Sequence, residues 1–227
     1  MLMKTALITG TSSGIGLELI KKFDKEGIRT ISLSRSNIIS DHEFSSNLKH
    51  INFDITIEDD IKKVVDFLSS NSLQVDFLIN NAGKLVNKPF LDQTQADFKS
   101  TYDVNFFGIV SLVQSLFPFF KKDSHIVNVS SIGGIGGSSK FPGLASYSSS
   151  KGALNILTEL LATEFKDGPY FNTLCLGAVQ TPMLELAFPG YNAEVNPKDM
   201  AQFIYNFSTA NPLLFNGKVI PVSISNP

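Results

Sequence analysis

The sequence predicts an α/β fold: a doubly wound parallel sheet of about seven strands with helices on both faces. Two observations carry this. Short, mostly apolar runs alternate with helical patterns along the chain, with almost no linker between them. The runs are apolar throughout rather than apolar on alternate residues, which is how strands covered on both faces read. Right-handed crossovers then wind such units into one sheet. The 227 residues are expected to form a single domain, 1–227, long enough to bury a full core.

The elements follow in order. Lys4–Thr9 reads as a buried strand and Ile15–Glu26 as the helix after it. Arg29–Ser34 is a second strand and Leu48–Phe53 a third. Thr56 opens a helix with Asp59 three residues on, a start resembling a capping box, and the helix continues to about Ser69. Glu58, Asp59, Asp60, Lys62 and Lys63 read as its solvated face. Phe77–Asn80 is strand four, and a long helix runs from about Asp97 to Lys121. His125–Ser130 is strand five, Ser146 to about Phe165 a helix, and Tyr170–Leu176 strand six. Pro197–Phe207 is a helix and Lys218–Val222 the last strand.

Composition removes several classes of function. The hydrophobic fraction of 43% and charged fraction of 18% are those of a globular protein. A net charge of -2 offers no footprint for nucleic acid. The one cysteine, Cys175, excludes an internal disulfide, fits a reducing compartment and reads as a buried strand residue. The apolar start, Met1–Thr9, is too short for a signal peptide and runs straight into glycines. The segment Phe106–Phe120 carries Gln114 and Pro118 and is shorter than the ~20 residues of a membrane span. A cytoplasmic protein without membrane or nucleic-acid partners is expected. His42, His50 and His125 have no ligand spacing with one another or with Cys175, so no metal site is expected. No Gly-x-Ser-x-Gly elbow precedes a helix, which argues against serine-hydrolase chemistry.

Two motifs carry the chemistry. After the first strand, Gly10-x-x-x-Gly14-x-Gly16 turns into the first helix, with Ser12, Ser13 and Ile15 between the glycines. Such a turn lets a pyrophosphate approach the backbone without a Cβ in the way, and the helix start offers it unpaired N–H groups. Strand two ends Leu33-Ser34-Arg35, with no acid to hold a ribose 2′-hydroxyl. Arg35 suits a 2′-phosphate instead, favouring NADP(H) while leaving NAD(H) possible. Asp54, followed by Ile55, suits the adenine amino group, and Asn80-Asn81-Ala82-Gly83 reads as a turn beside the adenosine ribose.

The second motif is Tyr147-Ser-Ser-Ser-Lys151, whose ends are four apart on one helix face. Reducing a ketone by hydride transfer requires a proton donor, and a phenol with pKa near 10 is a weak one. A lysine ammonium ~5 Å away contributes roughly 3 kcal/mol at an effective dielectric of about 20, about two pKa units downward.

With Asn105, Ser130-Ser131, Gly177 and Thr181-Pro182, these landmarks stand in the order found in the short-chain dehydrogenase/reductase family. The sequence resembles that family, including its Thr-Gly-x-x-x-Gly-x-Gly turn, over nearly its whole length. The resemblance implies a Rossmann-type domain holding both cofactor and substrate. It also implies roles. Tyr147 is general acid/base, and Lys151 lowers its pKa and holds the nicotinamide ribose. Ser131, rather than Ser130, bonds the substrate carbonyl, and Asn105 holds a water that extends a proton relay. Gly177, Val179 and Thr181 lie at the nicotinamide, the latter two on its carboxamide.

The departures bear on specificity. Gly133–Phe141 lengthens the interval from Ser131 to Tyr147, as a mobile lid or as a surface loop. Leu176 replaces a frequent proline, and the substrate segment Pro182–Asn196 is short. The connection between strands two and three is short, and the chain end lacks the glycines common in fatty-acid-synthesis reductases. Leu85, Val86, Phe141, Leu144, Leu184, Leu186, Phe188 and Tyr191 are candidates to line an apolar pocket. No basic cluster suggests a carrier protein or coenzyme A. The expected substrate is a small to medium, largely apolar carbonyl or alcohol. A dinucleotide-binding regulatory or scaffold protein with little turnover is the alternative. Apolar helices around Phe106–Phe120 and Leu154–Phe165 suggest a homodimer or homotetramer.

Overall fold

In the computed structural model, which describes residues 3–37 and 44–224, seven parallel strands form one sheet in the order β3-β2-β1-β4-β5-β6-β7. The strands are β1 (Thr5–Thr9), β2 (Arg29–Ser34), β3 (Leu48–Asn52), β4 (Val75–Asn80), β5 (Phe120–Ser131), β6 (Tyr170–Leu176) and β7 (Val219–Val222). Winding runs outward from β1 through β2 to β3, then returns to the other side of β1 at β4. Such a reversal opens a crevice beyond the carboxyl ends of the two central strands.

The sheet is buried on both faces because its strands are apolar on both. In β1, Leu7 joins one core with Ile31, Leu78, Ile126 and Phe171, while Ala6 and Ile8 join the other with Phe77, Ile79, Val127 and Leu174. The first core is covered by α2 (Glu58–Ser70), α4 (Gly108–Leu116) and α5 (Ala145–Glu164). The second is covered by α1 (Gly14–Lys25) and α7 (Pro197–Thr209), through Leu19, Ile20, Phe23 and Ile204.

The expected long helix over 97–121 is broken. It divides into α3 (Gln95–Tyr102), a π-helical turn at Asp103–Phe107, and α4. A 3-10 turn at Phe117–Phe119 then leads into β5. Pro118 cannot continue an α-helix. Phe120 is already paired with Val75, so β5 starts earlier than its apolar run suggests. The capping box falls elsewhere too. Thr56 donates its hydroxyl to Asp54 Oδ1 at 2.7 Å, and Ile57 caps α2 without a side-chain bond. The reciprocal box is Thr94 with Asp97, at the start of α3. Asp60 is not on a solvated face: it is buried and accepts from Asp54 N at 2.8 Å and Lys63 Nζ at 2.6 Å.

The sheet interior is crossed by a polar chain. Asn80 Nδ2 donates to Asn128 Oδ1 at 2.8 Å, Asn128 Nδ2 to Thr158 Oγ1 at 2.9 Å, and the Thr158 and Thr173 hydroxyls meet at 2.7 Å. The two described histidines make no metal cluster with other side chains, and none is found among the described residues; His42 lies outside them. No described helix is long and apolar enough to cross a membrane.

Buried His125 is matched to its neutral form. Its Nδ1 donates to Ser208 O at 3.0 Å, and its Nε2 accepts from Asn172 Nδ2 at 2.9 Å. Burial lowers its pKa from 6.5 to about 4. Below 6.5 the unfolded chain takes up a proton that the folded chain refuses until about 4. Stability therefore falls as pH drops through that window, by up to ~1.4 kcal/mol per pH unit from this group. Urea unfolding from pH 7 to pH 4 should show this slope, and His125→Gln should remove about one proton's share of it.

Candidate active site

The carboxyl ends of the strands open on a cavity of about 850 Å³. One end of it is made by the turn after β1. Gly10 has φ +70, and a Cβ there would lie 2.7 Å from Ala82 Cα; one on Gly16 would lie 2.1 Å from Gly10 O. Only glycine fits at either place. Ser13 caps α1 with no side-chain bond, and the first turn of α1 carries no acid. The positive end of that helix, beside Ser12, Ser13, Gly14 and Ile15, is thus left to whatever enters the cavity. A pyrophosphate fits this cradle.

Further along the same wall stand Arg35, exposed at the end of β2, and Asp54 and Ile55 after β3. The Asp54 carboxylate accepts from Thr56 N at 2.9 Å and from the Thr56 hydroxyl, both on Oδ1. Asn81, Ala82 and Gly83 line the cavity after β4. The side-chain amide of Asn81, however, is spent on the protein, donating to Thr9 O at 3.0 Å and Gly10 O at 3.1 Å. Thr9 opens the glycine motif, but the motif alone assigns its hydroxyl no role. Its hydroxyl accepts from Asn81 N and Ala82 N.

At the other end β5 delivers Ser131 and α5 delivers Tyr147 and Lys151. Ser131 accepts from Gly133 N at 3.2 Å, and its hydroxyl lies near enough to the Tyr147 phenol to lower the pKa of that group. Ser130 is buried and points its hydroxyl to Lys151 O, so it is Ser131 that stands with Tyr147. Lys151 is buried, with Nζ donating to Val129 O at 2.8 Å and lying 5.9 Å from the centre of the Tyr147 ring.

The electrostatics differ from the expectation of a phenol lowered by Lys151. Burial pushes Tyr147 up to about 12, against a lowering influence that comes from the Ser131 hydroxyl. Burial also pulls Lys151 down to about 8. Desolvation outweighs a charge whose contact with the ring is 5.9 Å and whose ammonium is turned to a carbonyl.

Asn105 lies in the π turn, fully buried. Its amide donates to Lys84 O and Ser150 Oγ, both at 2.9 Å, and its carbonyl accepts from Lys84 N at 2.8 Å. Ser150, which sequence reading passed over, donates in turn to Tyr147 O at 2.7 Å. The side chain of Asn105 therefore ties three segments together. A π turn also takes a carbonyl out of the ordinary helical ladder.

Gly177 packs on Ser223, where a Cβ would be 2.5 Å from the hydroxyl. Val179 pairs with Val195, and Thr181 caps the short helix α6 (Pro182–Ala187), accepting from Leu184 N at 3.2 Å. Of the expected apolar lining, Leu85, Phe141, Leu144, Leu184, Phe188 and Tyr191 face the cavity, with Met183 in addition. Val86 does not line it, and Leu186 is 86% exposed. The start of the 133–141 insertion is structural. A Cβ on Gly133 would lie 2.9 Å from Ser148 Oγ and one on Gly134 2.8 Å from Lys151 C, so this end lies tight against α5.

Residues 4–192 match the family model of the short chain dehydrogenases. The chain is 30% identical over 220 residues to oxidoreductase UcpA of Salmonella typhimurium, covering 92% of this chain and 81% of that one. It is 29% identical over 213 residues to a fatty acyl-CoA reductase of Acinetobacter baylyi, covering 88% and 71%. Among solved structures, 4-hydroxyisoleucine dehydrogenase complexed with NADH superposes with a TM-score of 0.85 at 26% identity, over 97% of each chain. The 3-ketoacyl-(acyl-carrier-protein) reductase from Brucella melitensis complexed with NADH gives 0.86 at 27%, over 97% of this chain and 96% of that one. Fold and sequence agree: the chain belongs to the short-chain dehydrogenase/reductase family and is an oxidoreductase.

Proposed function

We infer that this oxidoreductase interconverts a carbonyl and an alcohol, using NADP(H), on a small to medium and largely apolar substrate. The observation that carries this reading is the convergence of Ser131 and Tyr147 on one cavity, walled by Leu85, Leu144, Leu184 and Phe188. A carbonyl oxygen placed against both hydroxyls is polarised by one and protonated by the other.

The cofactor, when bound, supplies or accepts the hydride. The glycine turn and the open start of α1 would hold its pyrophosphate, with Ser12, Ser13, Gly14 and Ile15 beside it. Asp54, Ile55, Ala82 and Gly83 would flank the adenosine, and Val179 and Thr181 the nicotinamide. Lys151 would hold the nicotinamide ribose. Arg35 favours a 2′-phosphate, whereas the two structural relatives named above carry NADH.

With its pKa near 12, Tyr147 holds its proton at neutral pH and is set up to donate in the reductive direction. In oxidation it must accept a proton, so added positive charge near Lys151 assists. Asn105 fixes the geometry through Lys84 and Ser150, and a water-holding role falls to the main chain of its π turn.

The buried side of α5 carries Leu154 and Ala162 along with Ser146, Ser150, Lys151, Asn155 and Thr158, while Ile156 and Leu160 are 66% and 57% exposed. These two exposed apolar residues, with exposed Phe107, are read as the self-association face of a homo-oligomer.

Steady-state reduction of a panel of apolar ketones and aldehydes tests the reading. Tyr147→Phe should lose 10²–10⁴-fold in kcat, about the worth of one acid/base group. Retained turnover in that variant would remove Tyr147 from the chemistry. Arg35→Ala should raise the KM for NADPH by about 10- to 100-fold, the loss of a charge-assisted hydrogen bond, and leave that for NADH within about twofold. Equal effects on both cofactors would assign Arg35 no part in choosing between them. Lys151 keeps its proton below its pKa of about 8 and loses it above. The reductive kcat/KM should therefore decline on the alkaline side of that value, and a flat profile to pH 10 would count against a required ammonium.

A further inference from the structure

The start of α5 lacks a cap of its own. Leu144 stands at the N-cap and has no acceptor to offer, so the first amides of the helix look elsewhere. Ser146 N finds its partner 53 residues away in sequence, donating to Gln93 Oε1 at 3.1 Å. The same side chain donates through Nε2 to Gly143 O at 2.8 Å and to Lys88 O at 2.9 Å. Turning the amide over would set donors against an N–H and an oxygen against two carbonyls. The orientation is thus fixed by its surroundings.

Gln93 is itself held firmly. It lies between the 3-10 turn Phe90–Asp92 and the Thr94–Asp97 capping box, and Lys88 pairs with Asp97 at 2.9 Å. Lys88 N also donates to Gly143 O at 3.1 Å. Gly143 has φ +87, a conformation that favours glycine, and a Cβ there would touch Lys88 N at 3.5 Å, so the two loops lie against each other. The residue after Ser146 is Tyr147, whose phenol must meet Ser131.

We propose that Gln93 is a positioning residue for Tyr147: it caps α5 across the chain and thereby sets the phenol against Ser131. This rests on the reading of Tyr147 as the acid/base group. A helix start released from its cap lets the phenol drift from Ser131. The nearby Ser131 hydroxyl lowers the Tyr147 pKa, so the proton leaves at higher pH when the two groups part.

The test compares wild type, Gln93→Leu, Gln93→Glu and Tyr147→Phe. Three readouts are taken: kcat and KM, the pH profile of alcohol oxidation, and amide hydrogen exchange at Ser146. Gln93→Leu should lower kcat about tenfold through misplacement, with NADPH affinity unchanged within about twofold. The rise of its oxidative kcat with pH should move to higher pH. Gln93→Glu keeps the acceptor for Ser146 N, and an anion suits a helix start, but it gives up both donations, to Gly143 O and Lys88 O. It should recover kcat part of the way, to about threefold above Gln93→Leu, and move the pH profile back toward that of wild type. A Gln93→Leu protein with lowered Tm but unchanged kcat and profile would reduce Gln93 to a structural residue. Equal impairment of both variants would also overturn the proposal, because the bond to Ser146 would not be the cause. If wild type turns nothing over, or Tyr147→Phe remains active, the acid/base reading fails instead. Exchange at Ser146 then still decides the cap: faster by about tenfold in Gln93→Leu but not in Gln93→Glu supports it, and unchanged rates refute it.

Discussion

The hydroxyl of Thr9 accepts the main-chain N–H groups of Asn81 and Ala82, and at that oxygen the two halves of the sheet are pinned together. Thr9 ends β1 and Asn81 follows β4, neighbouring strands whose continuations leave in opposite directions. The Asn81 amide completes the join by reaching back to Thr9 O and Gly10 O. Without this the turn through Gly10 would have no fixed distance from the strand that carries Ala82 and Gly83. The crevice beyond the strands owes its width to three residues whose polar groups never leave the protein.

Burial then sets the chemistry on the far side of the crevice. Desolvation moves both Tyr147 and Lys151 toward their neutral forms, the phenol up to about 12 and the ammonium down to about 8. The two residues are close in sequence, yet each is answered by a different strand residue: Tyr147 by Ser131 and Lys151 by Val129 O. The polar chain from Asn80 to Thr173 runs below them, through the same strands and α5. Such a chain adds little net stability, but every other register of strand and helix leaves its members unpaired.

Much of this was legible in the sequence, because motifs such as Gly10-x-x-x-Gly14-x-Gly16 and Tyr147-x-x-x-Lys151 are local. A glycine turn and a four-residue helical spacing say the same thing in any context. The strand pattern was legible for the same reason, and β2 and β6 fall where their apolar runs lie. What could not be read depends on distant partners. The early start of β5 is dictated by Val75, the π turn around Asn105 by Lys84 and Ser150, and the burial of Asp60 by Asp54 N. The direction of the Tyr147 shift belongs to the same class. Counting charges along a helix predicts a lowered pKa, and only the packed interior shows that desolvation prevails.

The cavity has two kinds of wall, and glycine marks the difference. At Gly10, Gly16, Gly108 and Gly134 an added methyl group would strike backbone, whereas at Gly136, Gly137 and Gly190 it would meet nothing within 4 Å. The crowded glycines underlie the phosphate turn, the π turn and the floor of α5. The open ones belong to the insertion after Ser131 and the loop after α6. Sequence change is therefore penalised by collision where the protein grips and activates, whereas along the rim space is open and only the left-handed backbone at Gly137 and Gly190 resists it. A lineage built on this plan can trade one substrate for another by drift at the rim while its catalytic floor stays frozen.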